Sequence, residues 1–394
     1  MKKLIGVILS LTAFVAVGIL TFEFSYKLSP EEFITDKTTF IYSNQNLNAE
    51  KVEKFEKIFK VESKDEKELL RKIKSFYLLS ESKIYNRNVK IVGIVDTGIY
   101  YPLMLTNIKK YFNNEGDYFY SLKDEKKAEV GLSKDEEFYL KAYRGLFFLG
   151  ISKTEIDKII QTSGKKSLKT IEILRGREDS DLGTFVFNQE RERLFGIDRV
   201  VFSGNTEGNK IFIDGSVYGD NNFIKDLSNQ PATRRMNKYI DKNKLYFSMA
   251  DLRYLDTFIL RAISMAESSR GINIIKDLFT QGSSSIFSQL NGEIVCDLEN
   301  GNYLLGMKTA ENEEKYAEYF QNYQEINIEK DIEGNMYICI GNDTFVPVAQ
   351  TKEMAPNQFF SGKITTYYGE VEADGFSEKD SLRIKVQIDL KEQE

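Results

Sequence analysis

Residues 4–22 form a run of 19 without a charge, in which Ser10, Thr12 and Thr21 are the polar members. At about 1.5 Å of helical rise per residue, such a run is just long enough to cross a hydrocarbon layer of about 30 Å. Lys2 and Lys3 precede it, and acidic Glu23, Glu31 and Glu32 follow it. The positive-inside rule then leaves the N-terminus in the cytoplasm and the bulk of the chain outside. A cleaved secretory signal is the competing reading, with Ala16-Val17-Gly18 as its passable cleavage site. The apolar run continues past that site through Ile-Leu-Thr-Phe, which favours an uncleaved anchor. No cysteine lies near the segment, so lipid attachment through a thiol is excluded.

The remainder is long enough for two domains or one duplicated domain. Removing Lys2 and Lys3 from 54 basic residues leaves 52 against 60 acidic ones, and no Lys/Arg stripe breaks that acidic balance. A nucleic-acid partner is therefore not expected. The chain contains no histidine. Ser-His-Asp and Cys-His triads, histidine-containing zinc sites and histidine pH switches are excluded with it. Cys296 and Cys339 both fall in apolar strand-like runs, EIVCDL and MYICIG. They are read as buried thiols or, if their strands are neighbours, as a disulfide.

Periodicity predicts a strand at 38–43 and a helix carrying Val52, Phe55, Ile58 and Phe59. A second helix is predicted after Ser63, with Leu69, Leu70, Ile73, Phe76 and Tyr77 on one face. KIVGIVD at 90–96 reads as a buried strand, followed by a helix running to Asn113-Asn114. Ser133 with Glu136 and Ser152 with Glu155 have the spacing of capping boxes, on either side of a strand at 145–152. Residues 170–219 read as antiparallel β. The polar stretch 229–241 marks a domain boundary, followed by a strand at 244–249 and a helix capped by Asp251. A hairpin at 292–308 turns on Glu299-Asn300-Gly301-Asn302. A helix at 311–322, strands at 335–341 and 344–350, and an alternating C-terminal strand at 382–390 complete the order.

The two halves repeat an order of elements. Residues 38–59 match 244–263, 90–98 match 292–301, 144–152 match 335–343, and 197–219 match 363–390. The expected fold is therefore α+β, an N-terminal transmembrane helix followed by two similar mixed α/β units with largely antiparallel sheets. The expected divisions are 1–27 for the anchor and juxtamembrane segment, 28–232 for the first unit and 233–394 for the second. The paired halves, Ala250-Asp251-Leu252 after a strand, NGEIVCDL before a turn and the late YICIGND strand resemble uncharacterised bacterial membrane-anchored envelope proteins with a duplicated domain of unknown function. That resemblance implies an envelope address and a duplicated architecture, and it brings no catalytic residues.

Several short motifs invite chemistry. Ser80-Glu81-Ser82-Lys83 has the S-x-x-K spacing of penicillin-recognising enzymes, but the nearest downstream partner, Lys308-Thr309-Ala310, lacks its glycine. Residues 162–167 (TSGKKS) suggest a phosphate loop without its upstream glycine, Ile159 standing there; Gly164 reads better as a helix stop. Asp179-Ser180-Asp181-Leu182-Gly183 and Asp220-Asn221-Asn222 offer oxygen ligands for calcium without a complete loop pattern. Asp96 and Asp297 end strands at matching places in the two halves and could serve as paired carboxylates. Each motif has a plainer reading as a turn or cap, and the aromatic residues fall at core spacing. No catalytic residue, cofactor or metal ligand is assigned. The expected function is a membrane-tethered extracytoplasmic binding or scaffold protein of the bacterial cell envelope. A carboxylate-based hydrolase of envelope polymers and a lipid-binding envelope protein stand as alternatives. The expected partners are the membrane, through the N-terminal helix, and other envelope proteins or lipid.

Overall fold

The computed structural model describes residues 26–58, 64–82, 89–188, 197–219, 235–240, 244–248, 290–297, 301–307, 326–341, 345, 347, 354–366 and 369–391. They form a mixed α/β chain with few helices, in which antiparallel sheet dominates. No helix of the described residues is long and apolar enough to cross a membrane. The run at 4–22 lies outside the described residues, as do the helices expected after Asp251 and at 311–322. Contacts divide the chain into two compact units, Met1–Asn188 with Val201–Thr206, and Gln189–Val200 with Glu207–Glu394.

The first unit runs β1 (Phe40–Asn44), α1 (Ala49–Ile58), α2 (Lys64–Leu70), β2 (Ser75–Ser80), β3 (Val92–Asp96), α3 (Tyr101–Ile108), β4 (Phe112–Gly116), β5 (Phe119–Leu122), α4 (Asp124–Lys127), β6 (Tyr139–Tyr143), β7 (Leu146–Gly150), α5 (Lys153–Gln161), α6 (Leu168–Arg175) and β8 (Thr184–Asn188). Its strands pair antiparallel in the order β8-β1-β2-β3-β7-β6-β5-β4. The alternation of β7 explains how both faces are covered. Leu146 and Phe148 join Ile94, Leu79 and Ile41 in one core with Ile156 and Ile159 of α5 and Ile171 and Leu174 of α6. Phe147 and Leu149 point to the other face and meet Tyr101 and Ile108 of α3.

Within the second unit come β9 (Ile197–Glu207, of which 201–206 count with the first unit), β10 (Lys210–Gly219), β11 (Leu245–Ser248), β12 (Leu290–Asp297), β13 (Asn302–Met307), β14 (Ile326–Lys330), β15 (Met336–Ile340), β16 (Gln358–Thr366), β17 (Gly369–Ser377) and β18 (Ser381–Leu390). The antiparallel order is β10-β18-β17-β16-β11-β12-β13-β15-β14. Met307, Met336 and Ile338 pack on one face. A 3-10 turn at Arg235–Tyr239 brings Met236 and Tyr239 onto Tyr246, Val295 and Tyr337 on the other. The two units divide ahead of the expected 232/233, because β10 pairs with β18 from Lys210 to Tyr218 and so belongs with the C-terminal strands.

Several local expectations give way to pairing. Phe76 and Tyr77 are not on a helix face: α2 stops at Leu70, and β2 is drawn between β1 and β3, with Tyr77 opposite Ser43 and Ile94. Asn113 and Asn114 do not end a helix but lie in β4, turned back onto β5 by Asp117 and Tyr118, both at positive φ. At Ser133 only half the capping box forms. The Ser133 N–H donates to Glu136 Oε2 at 2.7 Å, but Glu136 N–H turns to the Ser133 carbonyl, and β6 follows instead of a helix. The β region expected from 170 begins at Thr184, after α6. In contrast, Ser152 caps α5 through Glu155 N–H, and the 292–308 hairpin forms as β12 and β13, with Gly301 at φ +70°.

Once the hairpin β4-β5 is set aside, the pairing order β8-β1-β2-β3-β7-β6 matches β16-β11-β12-β13-β15-β14 strand for strand, all antiparallel. In that alignment β12 answers to β2, and β3 to β13. Asp96 and Asp297, which end β3 and β12, therefore do not occupy equivalent strand ends.

Candidate functional site

A set of buried polar contacts in the first unit gathers where residues 26–35 enter it. Ser29 opens a 3-10 turn at Pro30–Phe33, its Oγ accepting from Glu31 N–H at 3.4 Å, with proline in the first position where a missing N–H costs nothing. The turn aims Phe33 and Ile34 into the core, both fully buried, and Phe33 meets Phe148 edge-on at 5.0 Å. The Ile34 carbonyl then accepts from Ser167 N–H at 2.8 Å.

Ion pairs fix both ends of this strap. Lys27 Nζ lies 2.7 Å from Asp96 Oδ1, with both side chains about 6% exposed. Gly98 N–H donates to the same oxygen at 2.7 Å, and the Asp96 carbonyl accepts from Lys74 N–H. Glu31 takes a two-pronged contact from Arg175, Nε to Oε1 at 3.1 Å and Nη2 to Oε2 at 2.5 Å, while Glu32 pairs with Lys166. Donating to the Glu31 carboxylate raises the Arg175 pKa. Tyr77 is also raised, by burial first and then by the charges of Glu31 and Asp96. Outside the core, Arg144 donates from Nε to the Tyr26 carbonyl, and its own carbonyl accepts from Leu28 N–H. Arg144 and Gly145 both have positive φ, as a two-residue hairpin turn demands. Ser29-Pro30-Glu31 is a helix-start pattern that was available in the sequence; the partners of Lys27 and Glu31, distant along the chain, were not.

The sequence motifs are used structurally. Ser80 Oγ accepts from Ser82 N–H, Glu81 pairs with Lys158, and Lys83 and 308–310 lie outside the described residues. Gly164 sits at φ +84° after α5, and Ser167 is the N-cap of α6, so residues 162–167 join two helices and form no phosphate cradle. In 179–183 the Asp181 carboxylate accepts from Lys54 Nζ and from Thr206 N–H at 3.0 Å. Lys51 Nζ reaches the carbonyls of Gln45 and Glu178. Burial lowers the Lys51 pKa against the pull of Asp179 and Asp181. The Lys54 ammonium thus already pairs with the Asp181 carboxylate that a bound calcium would need. Asp220-Asn221-Asn222 lies outside the described residues, and among the described residues no cluster of three Cys, Asp or Glu is arranged to hold a metal.

Paired-carboxylate chemistry needs one carboxyl with a raised pKa. Glu115, lowered by Ser121, and Glu136, lowered by Ser133, shift the opposite way. Asp331 does too: burial opposes the shift, but Lys238, Asn335 and Tyr337 outweigh it. The buried Glu293 carboxylate is held by Tyr246 OH and Met236 N–H, both at 3.0 Å. Cys296 and Cys339 are free thiols on β12 and β15, with β13 between them. Two strand spacings of about 4.8 Å exceed the reach of a disulfide. Burial pushes their pKa values up to about 11 and about 12.

No protein-family model and no curated protein matches the chain. Among solved structures it is similar to TP0453 in crystal forms IV, III and I. For form IV the TM-score is 0.33 at 7% identity, covering 49% of this chain and 81% of that one. Form III gives 0.33 at 7% identity over 50% and 81%, and form I 0.32 at 9% over 50% and 82%. Likeness this slight carries no argument about fold or function.

Proposed function

We propose that this chain is a membrane-tethered, extracytoplasmic binding or scaffold protein of a bacterial cell envelope, anchored through residues 4–22. The observation that carries the proposal is the strap at 26–35. The chain leaves a 19-residue uncharged run and within a few residues is locked by Lys27–Asp96, Glu31–Arg175 and the burial of Phe33 and Ile34. A tether needs its pull delivered to a rigid junction, and this one joins the anchor side directly to the central strands β2, β3 and β7. Among the described residues the sequence motifs serve turns, caps and ion pairs, which supports a binding role.

The second part of the proposal is that the two units arose by duplication, with β1 answering to β11 and β7 to β15. The shared pairing order supports it. It gives the tethered portion two related surfaces, a basis for scaffolding.

Fractionation of cells expressing the full chain tests the address. Retention in the membrane after carbonate washing, with the bulk of the chain digested by protease added outside the inner membrane, is expected. Recovery in the soluble cytoplasm would overturn it. Affinity isolation from native membranes tests the scaffold role, and recovery of the chain by itself would count against that role.

A further inference from the structure

Residues 99–105, IYYPLML, form an uncharged, apolar stretch at the surface of the first unit. They make up a 3-10 turn at Gly98–Tyr100 and most of α3. One side is accounted for: Tyr101 stacks on Phe147 with ring centroids 4.8 Å apart, and Ile108 is buried beside it. The other side is bare, with Ile99 55%, Tyr100 42% and Leu103 48% exposed. A surface helix ordinarily turns polar residues outward, and one apolar all round belongs inside a large core or against lipid. Contiguous exposed apolar surface marks an interaction site.

The surroundings identify the occupant. Tyr118, 70% exposed at the tip of β4-β5, and Tyr26, 48% exposed, both lie within electrostatic range of the Tyr101 phenol. The Tyr118 carbonyl accepts from Ala142 N–H, and Tyr26 is tied to Arg144 at the β6-β7 turn, so two hairpin tips and the head of α3 share one end of the unit. Lys109 and Lys110, both exposed, follow α3 and make no ion pair among the described residues; Asp117 sits beside Tyr118 at its tip. Tyrosines with flanking lysines around an aliphatic centre are the composition of a membrane–water interface. Tyr26 is also four residues beyond Phe22, the last residue of the uncharged run, a reach of at most about 14 Å.

We infer that Ile99, Tyr100, Leu103 and Tyr118 form an interfacial surface that rests in the headgroup region of the bilayer in which residues 4–22 are anchored. The inference depends on the anchor proposed above. Its consequence is orientation: the first unit lies on the membrane by the α3 end and does not swing freely on its tether.

The full chain carrying Leu103→Cys, labelled with an environment-sensitive nitrobenzoxadiazole dye, is reconstituted into phosphatidylcholine–phosphatidylglycerol vesicles. Tyr118→Cys serves as a second reporter. Leu168→Cys, 68% exposed on α6 over the opposite sheet face, serves as the control. Cys339 is buried but Cys296 only half-buried, so both are replaced by Ser in every labelled chain and the introduced thiol alone reacts. Nitroxide-bearing lipid should quench the labels at 103 and 118 by about half or more and leave that at 168 bright, as expected for side chains lodged in the headgroup layer. If the protein floats with the vesicles but 103 and 118 stay bright, the inference is overturned and the anchor stands. Equal quenching at all three sites overturns it as unspecific insertion. A blue-shifted label at 103 without lipid quenching assigns the face to a second copy or another protein and also overturns it. Failure to float overturns the anchor, and the inference with it.

Discussion

Replacing Lys27 by Met should destabilise the first unit far more than loss of a surface ion pair. Lys27 and Asp96 are each about 6% exposed, so the substitution strands a carboxylate that is nearly out of water. Removing one partner of a buried pair costs about 3–5 kcal/mol, because the remaining charge is desolvated and uncompensated. Asp96 keeps the Gly98 N–H donor at 2.7 Å, which sets the expectation at the lower end, about 3 kcal/mol. At 1.36 kcal/mol per factor of ten, that is about a hundredfold loss of protection at amides that exchange through opening of the unit. The chain has no tryptophan, so amide hydrogen exchange read by mass spectrometry on peptides spanning β2, β3 and β7 is the suitable assay. Lys72→Met, breaking the exposed pair with Glu68, is the control and should cost less than about 0.5 kcal/mol. Combining Lys27→Met with Asp96→Asn should recover part of the loss by removing the stranded charge. A fall in protection for Lys27→Met no larger than that of the Lys72 control would refute the assignment of this pair as the lock of the strap.

Three further outcomes follow from the described contacts. Asp331 is held well below the ordinary carboxylate range by Lys238, Asn335 and Tyr337, so its contribution is present above about pH 4 and lost as pH falls below it. The stability gap between wild type and Asp331→Asn should therefore be widest near neutrality and close on acidification; a gap that widens in acid would contradict it. Cys296 and Cys339 should resist a disulfide-exchange reagent at pH 8 while folded and both react after denaturation, and a chain with no titratable thiol when denatured would show the strands misassigned. Gly183 lies at φ +81° with its missing Cβ position 2.5 Å from the Ser43 carbonyl oxygen, so Gly183→Ala should cost about 1–3 kcal/mol in urea unfolding. An unchanged midpoint would remove the close approach it rests on.

Where a local signal was decisive, the sequence could be read directly. Asn300-Gly301 announces the β12-β13 hairpin, and Ser152 with Glu155 announces α5. β2 was hidden because SFYLLS is a short apolar run that fits a helix face and a buried strand equally; only its place between β1 and β3 decides. Missing β2 shifted the matching of the halves by one strand, which is why Asp96 and Asp297 looked equivalent. The strap was half legible. Glu31 and Glu32 stood out as acids beyond an apolar run, an argument about topology, whereas their partners Arg175 and Lys166 come from α6 and the turn before it. Likewise the oxygens of 179–183 were visible, but not Lys54 of α1, which pairs with the Asp181 carboxylate.

On the membrane reading proposed above, two apolar features of this chain would share one neighbour. As a proposed anchor the run at 4–22 would be covered on every side, and the exposed side of α3 from outside. Separate protein partners would have to satisfy these demands independently. A bilayer satisfies both at once, provided the two lie within one short reach, and the strap sets that reach: Arg144 holds Tyr26 at the end of the unit where Tyr118 and α3 converge. Shortening or loosening the strap would thus alter orientation as well as stability. Lys27→Met should reduce lipid quenching at position 103 without releasing the chain from vesicles, whereas a soluble chain that shields both regions internally would leave that label unaffected by the lipid altogether.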